Sequence, residues 1–236
     1  MAMRNLIFVS GVPGSACSAV SHQIVKHLSS IGLDPRWEPF FQNRGLNEYF
    51  NSILYRTNCD LRTLFTSFAT YLAMITEERI KPHLRRRQPV VCEYYTPEIW
   101  AYARALRLDD ALIDSLLGTL PKPDVVFLAT GEVATCYETV SAERNLYLWE
   151  SGLLTLYGAD YSRAFSDFYR GAISSQRQRS EFINFQEGVM QLMRTWRGGG
   201  EMLETSGAEE AQRHAGRLWP RPDACGRDTQ GNRGRS

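Results

Sequence analysis

Arg4-Asn5-Leu6-Ile7-Phe8-Val9-Ser10-Gly11-Val12-Pro13-Gly14-Ser15-Ala16-Cys17-Ser18 decides how the rest of the chain is read. Residues 4–10 are a short apolar run with β-branched residues, bounded by Gly11, which is the pattern of a buried strand. The segment from Gly11 to Ala16 cannot continue it, because Gly and Pro interrupt both regular structures. From Cys17 the period changes. Val20, Ile24, Val25, Leu28 and Ile31 recur at helical spacing, and Gly32 supplies the stop. Strand, glycine turn and helix open a βαβ unit.

Working outward, a second strand is expected at 34–40 and a long helix over 60–86, with Leu61, Leu64, Phe65, Phe68, Leu72, Ile75 and Ile80 along one side. Arg85-Arg86-Arg87 forms its basic end, favourable against the helix dipole. Residues 89–94 read as a third strand, 97–106 and 109–119 as helices, and 123–129 as a fourth strand. A helix over 132–140, a polar connection over 141–147 and an aromatic-rich helix over 148–170 follow. Glu181 to Phe185 is the expected fifth strand, with a last helix over 187–196. Strands alternating with helices predict an α/β fold, a five-stranded parallel sheet flanked by helices on both faces. The domain is expected to span 1–197. The last 39 residues hold eight of the 18 glycines and few apolar side chains, so 198–236 is expected to be a disordered tail.

The whole chain has 236 residues, 43% hydrophobic and 22% charged, with a net charge of +1. That suffices for one domain with a real core. No apolar run is long enough to span a bilayer, and the N-terminus has no signal-peptide pattern, so a soluble intracellular protein is expected. The near-zero charge leaves no footprint for nucleic acid. Five widely spread cysteines (17, 59, 92, 136 and 225) without Cys-x-x-Cys pairing fit a reducing compartment, not a disulfide scaffold or a zinc site. Lys occurs only at 26, 81 and 122. The resulting excess of Arg reads as a coding bias.

A phosphate-binding loop between strand and helix reads G-x-x-x-x-G-K-[ST]. Gly11 and Ser18 occupy its first and last positions, with Gly14 and Ser15 inside the loop. Ala16 stands where the second Gly belongs and Cys17 where the Lys belongs. The segment is therefore either a relic of such a loop or a plain glycine turn. At the helix start, Cys17 is read as a small buried replacement in preference to a nucleophile.

Further motifs bring a resemblance to the thymidylate kinase branch of P-loop nucleoside and nucleotide kinases, over residues 4–196. Glu38-Pro39 matches the family's Glu-Pro after the second strand, with Trp37 before it. Leu64-Phe65-Thr66-Ser67-Phe68-Ala69 resembles the substrate helix, with Ala69 in place of its Arg. Glu93-Tyr94-Tyr95 stands at the Asp-Arg-Tyr, and Trp100-Ala101-Tyr102 follows as in the family. Leu120 to Leu128 is the most family-like stretch, continued by Glu132-Val133-Ala134, and Arg144 and Glu150 fall at the lid and the next helix.

The resemblance implies a P-loop three-layer sandwich and a cleft for a nucleotide or nucleoside. Phe65, Ala69, Tyr94, Tyr95 and Tyr102 would line it, Ser18 would be the Mg²⁺ ligand, and Glu38, Glu93 and Arg144 would be the catalytic candidates. It also implies ATP, held weakly here, and a homodimer. The related deoxynucleoside kinases use the Glu of the Glu-Pro as a base, a role open to Glu38. A local backbone hydrogen-bonding role is the alternative for Glu38, and solvated surface is the alternative for Arg36 and Arg144. Phosphoryl transfer is mostly positioning and charge neutralisation, and three family cations are replaced by Cys17, Tyr94 and Ala69. Two readings follow. One is a degenerate, pseudokinase-like module for ligand binding, assembly on a protein partner, or regulation. The other is a divergent kinase using displaced Arg residues, so enzyme status stays open.

Overall fold

A computed structural model describes residues 4–39, 60–143, 146–157 and 161–220. The strands are β1 (Leu6–Gly11), β2 (Arg36–Pro39), β3 (Val90–Glu93), β4 (Val125–Ala129) and β5 (Glu201–Thr205). They form one parallel sheet in the order β2-β3-β1-β4-β5, so the expected five-stranded α/β architecture is observed. The helices are α1 (Cys17–Ser30), α2 (Leu61–Ile75), α3 (Lys81–Arg85), α4 (Thr96–Ala105), α5 (Asp110–Leu117), α6 (Val133–Glu143), α7 (Leu153–Leu156), α8 (Tyr161–Tyr169), α9 (Ser175–Thr195) and α10 (Ala208–Leu218).

Strand side chains alternate between two cores, as the period of two requires. Ile7, Val9, Val91, Val125 and Phe127 pack with Val20, Ile24 and Leu28 of α1 and Ala211 and Ala215 of α10. Leu6, Phe8, Val90, Cys92, Val126 and Leu128 face α2, α4, α5 and α9. The Asp124 carboxylate accepts from the backbone N–H groups of Asn5 and Leu6 at 2.8 and 2.9 Å, which fixes the start of β1 beside β4. The chain leaves β1 along one face, through α1, and leaves β3 along the other, through α4 and α5. Where two adjacent strands part in this way, their carboxyl ends open a crevice, the usual ligand position of an open α/β sheet.

Four expectations change. The fifth strand is Glu201–Thr205, not 181–185, and pairs with β4 from Val125↔Glu201 to Ala129↔Thr205. Residues 181–185 lie inside α9, whose Phe182, Phe185, Val189 and Met193 bury at helical spacing; the short Phe-Ile-x-Phe run fits either period, and the longer pattern wins. The tail is not disordered over 201–218, because β5 completes the sheet edge and α10 covers α1, its end tied by His27 Nε2 to the Trp219 carbonyl at 2.9 Å. The sheet domain therefore runs past 197, and 221–236 lie outside the described residues. The helices expected over 60–86 and 148–170 are both interrupted. A π-helical turn spans Thr76–Ile80, where Thr76 Oγ1 hydrogen-bonds the Tyr95 hydroxyl, and Gly152 begins α7 with φ +76°.

Candidate functional site

The turn after β1 is held from below and from the side. The Glu98 carboxylate, at the third position of α4, accepts from Gly11 N–H, Ser10 Oγ and Tyr95 N–H, each at 3.0 Å. Burial pushes this carboxyl up to about 8, and those hydrogen bonds hold it back from going further. Ser15 N–H donates to Val12 O at 3.0 Å. Gly14 has φ +81° and packs so closely on α6 that an added Cβ would lie 2.0 Å from the Cys136 carbonyl oxygen. Only glycine fits there.

Cys17 opens α1, but its side chain turns inward. It is fully buried among Ile7, Val9 and Val20, with Sγ 3.2 Å from Ser15 Oγ. Burial, reinforced by the nearby carboxylates Glu98 and Glu93, pushes the thiol up, so it carries no thiolate. The expectation that Cys17 is small and buried agrees with this placement. Ser18 points the other way and donates from Oγ to Glu93 Oε1 at 2.6 Å. Glu93, the last residue of β3, is 2% exposed, and its Oε2 has no hydrogen-bond partner among the described residues. Tyr94 follows with φ +56°, uncommon for a bulky side chain. Burial raises its phenol well above the ordinary range, and Cys17, Glu93 and Glu98 add to the shift.

Between these elements lies a cleft of about 410 Å³. The loop residues Gly14, Ser15, Ala16 and Ser18 form one wall, and Tyr94, Glu98 and Tyr102 another. The end of α6 with Glu143, and Tyr147, Trp149 and Glu150, complete it. Tyr147 and Trp149 are stacked at 6.0 Å with rings 9° apart, and Tyr102 meets Trp149 edge-on at 4.8 Å. The Tyr102 hydroxyl donates to Gln186 Oε1 at 2.9 Å, and Gln186 Nε2 donates to the Glu150 carbonyl at 2.7 Å, fixing this wall to α9. Among the described lining residues there are three glutamates and no Lys, Arg or His.

The other expected site residues are not gathered here. Phe65 and Ala69 are buried in the core because α2 turns that face inward to cover the sheet, and they are not among the described cleft residues. Tyr95 is buried against Phe8, ring centroids 4.6 Å apart, and serves the Thr76 contact. Glu38, on edge strand β2, is clamped by Arg36 at 2.6 Å and Arg79 at 3.5 Å. That arrangement is an ion-pair cluster, and it occupies Arg36. Arg144 lies outside the described residues. Sequence reasoning missed Glu98 and Arg79. Tyr95-Thr96-Pro97-Glu98 does carry the signal for the first, a helix start with Pro in the first turn and Glu three residues after the cap. Nothing local announces the second.

Mg²⁺ and ATP can be tested against these groups. Ser18 Oγ and the Glu93 carboxylate are hard oxygen donors of the kind Mg²⁺ takes alongside water and phosphate oxygens. They fit that ion, which would supply charge neutralisation for a bound phosphate. No group of three His, Cys, Asp or Glu side chains gathers for a metal among the described residues. At the loop position where a triphosphate-anchoring lysine would stand is Cys17, and the described lining of the cleft carries carboxylates.

No family model matches the chain. No curated protein matches it either. Among the solved structures similar to it is thymidylate kinase from Ehrlichia chaffeensis, with a TM-score of 0.49 and 23% identity, over 58% of this chain and 82% of that one. Among the described residues no helix is long and apolar enough to cross a membrane.

Proposed function

We propose that this protein is a ligand-binding module built on a P-loop-kinase-like sheet, degenerate as a phosphotransferase, whose cleft takes a nucleoside-type molecule. One observation carries the reading: the cleft beside the loop presents carboxylates and aromatic rings, with no cation among its described lining residues. Aromatic walls stack a base through its π-face. Phosphoryl transfer needs positive charge over the phosphates, and here the loop's cation position is a buried thiol. Such a module would act in regulation, or in assembly with a protein partner or a second copy of itself.

A thermal-shift series over nucleosides and their mono-, di- and triphosphates, with and without Mg²⁺, tests this. Nucleosides should raise the midpoint and triphosphates should not. Labelled ATP incubated with the same nucleosides should give no product. Turnover at the roughly 1–100 per second of ordinary kinases would overturn the proposal. A divergent kinase is the second reading, favoured by the Ser18–Glu93 pair, which matches what Mg²⁺ takes. Mg²⁺-dependent product formation that disappears in Glu93→Gln would establish it.

A further inference from the structure

α4 has a cavity on each side. Glu98, Ile99 and Tyr102 face the cleft just described, whereas Thr96, Trp100 and Arg104, at i, i+4 and i+8, line a second groove of about 520 Å³. Its far wall is the segment before β4, with Lys122, and the segment joining α9 to β5, with Trp196 and Arg197. We propose that this groove is a second ligand site, for a small molecule that joins a flat aromatic body to a carboxylate or other monoanion.

The half-buried Trp100 indole supplies a flat surface, and the largely buried Trp196 closes the far wall. The Arg104 guanidinium lies 4.9 Å from the Trp100 ring centroid and pairs with the Asp110 carboxylate at 2.9 and 2.5 Å, so its charge is already neutralised. Lys122 and Arg197 remain. Among the described residues Lys122 has no ion-pair partner, and Arg197 reaches only the backbone carbonyls of Arg194 and Trp196, at 3.3 and 3.2 Å. Asp114 is the groove's other carboxylate, and it acts on Arg104. Three cations, Arg104, Lys122 and Arg197, against the two carboxylates of Asp110 and Asp114 leave the groove's described lining one net positive charge, and an anion complements it.

The groove is also kept open by its sequence. A Cβ at Gly198 would lie 2.1 Å from the Trp196 indole, and one at Gly199 would lie 2.8 Å from the Lys122 Cβ. Side chains at either position would displace the very groups that bind. In the α4 wall, Thr96 is 5% exposed, and its Oγ1 has no hydrogen-bond partner among the described residues. A buried unpaired hydroxyl is unfavourable, and a ligand carboxylate reached by a χ1 rotation would give it an acceptor. Because Glu98 on the same helix holds the loop, a molecule seated here is placed to act on the first cleft through α4.

A matched pair of probes tests the site, 1-naphthoate and the neutral 1-naphthamide, titrated into the full-length protein with tryptophan fluorescence as readout. Naphthoate should quench and bind on the order of tenfold more tightly than the amide, as one partly screened charge pair allows. Lys122→Gln should remove most of that preference while leaving the fold intact, since the residue lies at the surface. Thr96→Val should raise the melting midpoint, by removing an unpaired buried hydroxyl, yet weaken naphthoate binding. Equal affinity for the two probes, no binding of either, or unchanged naphthoate affinity in both variants would each overturn the proposal. Nucleoside binding in the first cleft is measured without either probe, so the two proposals stand or fall separately.

Discussion

Replacing Glu98 with Gln tests the brace under the loop and the sign of its pH dependence. Burial raises this carboxyl from 4.5 to about 8 in the folded chain, so the folded state holds the proton to higher pH than the unfolded state does. The stability linked to that proton is fully present below about 4.5 and is lost as pH rises through about 8. At about 1.36 kcal/mol per pH unit the gap sets a ceiling of about 5 kcal/mol. The donors from Ser10, Gly11 and Tyr95 are already reflected in that pKa, whereas water in the adjoining cleft eases ionisation further, so a loss of about 2–3 kcal/mol between pH 5 and 9 is expected. Gln has one acceptor oxygen, and its amide group must face one of the three donors, so the variant should lose about 1–3 kcal/mol at pH 5. Its stability should then stay flat where that of the unmodified protein falls. Urea unfolding of both proteins at pH 5, 6.5, 8 and 9 gives the difference directly, and the other titrating groups cancel. That difference should shrink by about 2–3 kcal/mol across the range. A difference that stays constant or widens refutes the reasoning.

The other predictions concern packing. Deleting residues 201–236 removes β5 and α10 and uncovers Val125, Phe127 and α1; the truncated chain should lose cooperative unfolding by circular dichroism, and a melt within about 2 °C of the full chain would contradict the assignment. Gly14→Ala places a Cβ 2.0 Å from the Cys136 carbonyl at φ +81° and should cost about 2–4 kcal/mol in urea melts; a cost under about 0.5 kcal/mol would mean that α6 does not sit on the loop. Cys17 and Cys92 are buried, and burial raises both thiols, so neither should react with iodoacetamide in the native protein. Mass spectrometry showing rapid native alkylation of Cys17 would contradict its inward orientation.

Much of the fold was legible because its signals are local and strong. The apolar run before Gly11, the helical spacing of Val20, Ile24 and Leu28, and Pro123-Asp124 before Val125 each specify their element without help from the rest of the chain. β5 was not legible. Glu201-Met202-Leu203-Glu204-Thr205 has two apolar residues and follows three glycines, and it is a strand because β4 offers it a free edge. That is information held by the tertiary structure. The candidate site was legible in part. The turn after β1 and Glu93-Tyr94 come together at the strand ends, because a turn after one strand and a carboxylate ending the next meet in any parallel sheet with this strand order. Phe65 and Ala69 lie in the core, which a motif on a helix does not foretell because it does not state which face turns inward, and Glu98 was missed because its contacts reach 87 and 88 residues back in sequence.

The loop keeps its shape with internal partners. Gly11 N–H is taken by Glu98, Ser15 N–H by Val12, the Ser18 hydroxyl by Glu93, and Gly14 by its contact with Cys136. A phosphate-binding loop that depended on its anion for order would lose that order when the loop lysine is replaced, since the anion's affinity goes with it. Here the conformation is supported from the sheet side by a buried carboxylate, and that support is indifferent to what fills the cleft. The two requirements are therefore separable. Cys17 satisfies packing under β1, Tyr94 closes the end of β3 and contributes a ring to the cleft, and neither supplies the hydrogen bonds just named. The groups of the cleft that stand apart from this brace are the aromatic wall of Tyr102, Tyr147 and Trp149 and the carboxylate at Glu143. The Glu98→Gln variant probes this separation as well. If the turn is braced as described, loosening it should weaken nucleoside and monophosphate binding by the same factor, because the defect lies in the loop and not in a contact to either ligand's charge. A loss confined to the monophosphate would place Glu98 in the recognition of charge and return the loop to its phosphate-binding role.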